Sequence, residues 1–60
     1  MTEDAMNHER AFYYALGMGK AGEPTDTVAF ADSYVEWANS DPERIPTLTE
    51  FYSKVWKHRG

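Results

Sequence analysis

The residues of this chain that could do chemistry are few and scattered. Its histidines are His8 and His58, and it has no cysteine. Nucleophilic catalysis needs a base within reach of an activated hydroxyl or thiol. The one grouping open to this sequence is Ser33 with His8 and Asp32, and no motif ties the three together. A packed or hydrogen-bonded helix residue is the plainer reading of His8, and His58 is expected to face solvent. Asp32 and Glu36 share a helical face with Asn39 close by, oxygen donors of the kind hard cations accept. Carboxylates four residues apart are ordinary on a solvated helix, however, and no loop supplies further ligands. Gly17-Met18-Gly19-Lys20 has the composition of a phosphate loop but follows a helix rather than a strand and lacks the required spacing. The sequence thus assigns no catalytic residue, metal site or cofactor, and the chain reads as a non-enzyme.

Binding remains. A nucleic-acid reading would use a third helix, as three-helix domains that read DNA do. Thr47 and Thr49 at its start, then Ser53, Lys54 and Lys57, could touch phosphates or base edges. Charge argues against it. The net charge is -4, and residues 1–53 hold ten acids against Arg10, Lys20 and Arg44, a balance of -7 before Lys54, Lys57 and Arg59 close the chain. Such a surface repels DNA, and cations at a helix C-terminus are favourable there without any ligand.

The protein-binding reading starts from the aromatic content. Nine of the 60 residues are Phe, Tyr or Trp. Once each helix has given its main stripe to a core, Met6, Tyr13, Tyr14 and a tryptophan are left partly exposed, Trp37 or Trp56, with Trp37 taken as the site residue. Tyr, Trp and Met are enriched at protein interfaces. The chain therefore reads as a small acidic protein-binding module, a regulatory, inhibitory or accessory subunit acting through an aromatic and methionine surface. Two alternatives stand beside it: a small DNA-binding regulator, and a structural domain that self-associates as a homodimer. In type, though without a shared motif, such a chain resembles the small accessory proteins of phages, plasmids and bacterial operons.

These side chains need elements to position them, and the spacing predicts three helices near residues 4–19, 25–39 and 47–58. In the first, Ala5, His8, Ala11, Phe12, Ala15, Leu16 and Gly19 share one face at 100° per residue, with Met6, Tyr13 and Gly17 opposite and Tyr14 on a flank. Glycines at 17, 19 and 22 predict termination through a left-handed glycine cap. The second helix opens at Pro24-Thr25, with Thr25 as the cap. Its wide apolar face carries Phe30, Ala31, Tyr34, Val35, Trp37 and Ala38. A turn at Ser40-Asp41-Pro42-Glu43 follows, with Ile45 expected to plug the end of the bundle. Thr47-Leu48-Thr49-Glu50 has capping-box spacing ahead of the stripe Leu48, Phe51, Tyr52, Val55 and Trp56.

The expected architecture is all-α, a compact three-helix domain, with a core of Phe12, Leu16, Phe30, Tyr34, Val35, Leu48, Phe51, Val55 and Trp56. At 6.9 kDa it is one domain, burying roughly 60% of its unfolded surface. Without disulfides it depends on packing, self-association or a partner. Met1-Thr2-Glu3-Asp4 leads into no apolar run, and the longest apolar stretch, 12–18, is far short of the ~20 residues a bilayer span needs. A soluble, cytoplasmic protein is expected.

Overall fold

Local chemistry sets where each helix begins and ends. In the computed structural model, which describes residues 3–58, the order is α1 (Glu3–Lys20), α2 (Thr27–Asn39) and α3 (Leu48–Lys54), then a 3-10 turn at Trp56–His58. Met1, Thr2, Arg59 and Gly60, and with them the last tail cation, lie outside the described residues. The chain is all-α, a compact three-helix domain, and no strand occurs among the described residues.

Helix α1 has Glu3 and Asp4 in its first turn and Lys20 in its last, matching the helix dipole at both ends. It ends at Lys20, and Gly22 just beyond takes the left-handed conformation, with φ 93°. The Glu23 N–H donates to the Met18 carbonyl at 2.9 Å and the Gly22 N–H to the Gly19 carbonyl at 3.1 Å. This is the Schellman pattern, which satisfies two orphan carbonyls.

The cap of α2 is Asp26, not Thr25. The Asp26 carboxylate accepts from the Ala29 N–H at 3.1 Å, while the Thr25 hydroxyl donates to the Glu23 carbonyl. An ionised oxygen at the positive end of a helix is the better acceptor, so the start moves one residue on and Pro24 falls ahead of the first turn. Thr47 caps α3 as its spacing suggests, accepting from the Glu50 N–H at 3.2 Å. The Glu50 carboxylate approaches Lys54 at 3.4 Å. The third segment does not run as one α-helix to residue 58. After Val55 it tightens into the 3-10 turn, and Trp56 there packs against Phe30 with ring centroids 5.0 Å apart.

Ala11, Ala15, Phe30, Ala31, Tyr34 and Phe51 form the buried core, with Phe12, Tyr14, Met18, Trp37, Leu48, Tyr52, Val55 and Trp56 packed around them. Two expected core members fall elsewhere. Leu16 is 39% exposed and Val35 only half-buried. The alanines explain the difference. Ala11 and Ala15 face Ala31 across α1 and α2, letting the two helices approach closely, and α1 is turned by roughly 60° from the expected face, at 100° per residue. Tyr14 and Met18 rotate inward, and Leu16 rotates out.

Ile45 does not plug the bundle; it is 84% exposed. Arg44 takes that end instead. Its guanidinium lies 4.5 Å over the Trp37 ring and donates to the Trp37 carbonyl and the Ser40 hydroxyl, each at 2.6 Å. Asp41 shapes the turn that aims it, accepting from the Glu43 N–H at 3.0 Å. Helices α1 and α2 run antiparallel, pinned by Asn39 to Asp4 at 3.1 Å and His8 to Asp32 at 2.8 Å. The molecule is flat, 33 × 26 × 15 Å.

Candidate functional site

Seven aromatic residues form one connected cluster that ties the helices together. Phe51 meets Phe30 and Tyr34 edge-on at 5.1 and 5.4 Å, and Trp37 and Trp56 complete its surroundings. Tyr14 of α1 stacks on Phe30 at 5.8 Å and touches Tyr52 at 6.2 Å. The Tyr52 hydroxyl donates to the Glu23 carboxylate across the bundle. Outside the cluster stand Phe12, which packs against the core, and Tyr13, which is 63% exposed. Tyr13 meets only the edge of Phe12, at 5.9 Å.

Tyr13 belongs to a groove of about 680 Å³ lined by Met6, Glu9, Arg10, Tyr13, Tyr14 and Leu48. Tyr14 and Leu48 are half-buried and so form its deeper part; Met6, Glu9, Arg10 and Tyr13 are exposed along α1. Three of the four candidate protein-binding residues, Met6, Tyr13 and Tyr14, thus come together. The fourth, Trp37, lies elsewhere, half-buried among Tyr34 and Phe51 with Arg44 over its face. Glu9, Arg10 and Leu48 are the members that residue type alone did not suggest. Glu9 and Arg10 are recoverable from spacing, since 6, 9, 10 and 13 follow the i, i+3, i+4, i+7 rule of a helical face. Leu48 is brought in by α3, which no local pattern foretells.

Glu9 and Arg10 have no ion-pair partner among the described residues. The Arg10 guanidinium acts on the Tyr34 phenol, partly offsetting the burial that raises its pKa. The Tyr52 phenol is raised as well, chiefly because its proton is held by the Glu23 carboxylate.

The groups named for nucleic-acid contact are largely engaged within α3. Thr47 caps the helix, and Ser53 donates to the Thr49 carbonyl at 2.9 Å. Lys54 meets Glu50, and the Lys57 ammonium sits 5.4 Å from the centre of the Tyr52 ring. At seven residues α3 is about 10 Å long. His8 is the hydrogen-bonded helix residue the sequence suggested, bound to Asp32 with both side chains substantially exposed. No three His, Asp or Glu side chains gather into a metal-holding group among the described residues, and no helix there is long and apolar enough to cross a membrane.

A polar hollow of about 260 Å³ lies at the other end, where Glu3 and Asn7 face Asn39, Asp41 and Arg44. Arg44 is already committed to Trp37 and Ser40. Comparison of the chain with protein-family models, with curated proteins and with solved structures gives no match.

Proposed function

We propose that this chain is a non-catalytic protein-binding module of the cytoplasm, a regulatory, inhibitory or accessory subunit whose contact surface is the outward face of α1 and the groove beside it. One observation carries the reading. Tyr13, the aromatic residue outside the cluster with the largest exposure, lines an apolar groove with Met6, Tyr14 and Leu48, with Glu9 and Arg10 at its edge. Groups of this kind around a concavity are what protein interfaces use as anchors and rims. Tyr14, in the deeper part of the groove, is held by stacking on Phe30, so binding loses little entropy in placing it.

The test places a photoreactive benzoylphenylalanine at position 13 and irradiates the purified protein and an extract of its source cell. A protein adduct, to another chain or to a second copy, that fails to form when Leu48→Lys is added supports the reading. Absence of any protein adduct, with sub-micromolar DNA binding of steep salt dependence that Lys54→Ala plus Lys57→Ala abolishes, would replace it with the third helix as a nucleic-acid reader.

A further inference from the structure

We infer that the occupant of this surface is a second copy of the chain, with α1 paired antiparallel to α1 about a two-fold axis crossing it between Glu9 and Arg10. The inference rests on the proposed function and names the partner. Along α1, Met6, Glu9, Arg10, Tyr13, Leu16 and Gly17 form one continuous stripe on the side opposite Ala11 and Ala15, the side turned away from α2. Met6, Tyr13 and Leu16 are its exposed apolar members.

The order of Met6, Glu9, Arg10 and Tyr13 on that stripe is self-complementary. A two-fold axis between residues 9 and 10 sets Met6 against Tyr13 of the second copy, and Glu9 against Arg10 of the second copy. Symmetry repeats both pairs, so every contact is made twice. Thioether meets aromatic ring, a favourable pairing, and carboxylate meets guanidinium. Shifting the copies by one turn, or pairing them parallel, breaks this matching of apolar with apolar and acid with base.

Charge argues for a second copy over a foreign chain. The protein is acidic, at -7 over residues 1–53, yet the groove on this face is lined by one acid and one base, Glu9 and Arg10. A surface built for a basic partner would concentrate the acidic excess, whereas a self-pairing surface must be balanced because it meets itself.

Sedimentation equilibrium with charge reversal decides the matter. The protein is expected at twice 6.9 kDa at tens of micromolar. Glu9→Arg alone or Arg10→Glu alone sets like charges across the axis and should raise the dimer Kd by about tenfold or more, each clash being made twice. The combined Glu9→Arg, Arg10→Glu variant should restore dimerisation, and that rescue shows the variants are folded. Tyr13→Lys should give monomers, with its helical circular dichroism retained. A 6.9 kDa species at every concentration up to about 1 mM, or a dimer indifferent to these reversals, overturns the inference. If the chain is monomeric while position 13 still crosslinks to a different protein, the second copy is refuted and the protein-binding reading stands. If neither occurs, both fail.

Discussion

Asp26 and Thr47 each supply one side-chain oxygen to a helix start, and each is the single acceptor seen for its N–H. Replacing either by alanine should cost about 1 kcal/mol, read as a lower urea midpoint. Thr25→Ala should cost no more than a few tenths, roughly, because that hydroxyl bonds outside the helix. Equal losses at Thr25 and Asp26 would return the cap to Thr25. The tyrosines make a second statement at this scale. Burial raises the Tyr34 pKa against the opposing pull of Arg10, and the bond to Glu23 raises that of Tyr52. A phenol whose pKa is higher folded than unfolded keeps its proton in the native state after the unfolded chain has lost it. Its contribution is complete below about pH 10 and declines as pH rises from there through the folded pKa. Stability should therefore fall on the alkaline side, and Tyr52→Phe should flatten that fall. Urea midpoints from pH 8 to 11 test it, and an alkaline decline equally steep in the variant counts against the Tyr52–Glu23 bond.

Helix α1 is the element on which most depends, because one of its faces builds the core and the other carries the proposed contact. The orientation of that helix can be tested directly. Leu16→Glu should shift the stability of the monomer by no more than about 0.5 kcal/mol, since Leu16 is 39% exposed. Ala15→Leu should cost about 1–3 kcal/mol, because Ala15 is fully packed against α2. The reverse order of effects would restore the face that includes Leu16. Its glycines separate in the same way. Gly22→Ala forces an alanine into a positive φ and should destabilise by about 1 kcal/mol. Gly17→Ala, in open helical space, should stabilise dilute monomer by about 0.5–1 kcal/mol. Opposite shifts in melting temperature are the expected readout.

The whole molecule is a thin sheet of three helices held by an aromatic junction rather than by a thick aliphatic core. Phe51 is the centre of that junction, fully buried and in ring contact with Phe30, Tyr34, Trp37 and Trp56. Phe51→Ala should cost about 3–5 kcal/mol, comparable to the total stability of so small a domain. Loss of helical circular dichroism near room temperature is the expected result, and a cooperative melt close to the parent's would refute the junction's role. In this flat shape α1 meets α3 over little surface, which opens the groove of Tyr13, Tyr14 and Leu48.

The sequence by itself determined the class of the fold, the number of helices and the signals at the end of α1 and the start of α3. These are properties of neighbouring residues: the apolar recurrence of Phe30, Ala31, Tyr34 and Trp37, the Thr47 cap and the glycine at 22 act within a turn or two of chain. Phe30, Tyr34 and Phe51 were legible as core for the same reason, and so was the nearness of Met6 and Tyr13 on one face. Tertiary structure alone decided which side of α1 faces inward. Periodicity defines an apolar arc but cannot weigh the close approach allowed by Ala11, Ala15 and Ala31 against the greater bulk of Leu16. Only packing could also bring Leu48 to the groove of Tyr14 and set Arg44 on Trp37 in place of Ile45. Each of those outcomes depends on contacts between residues distant in sequence, where steric fit and not local spacing sets the free energy.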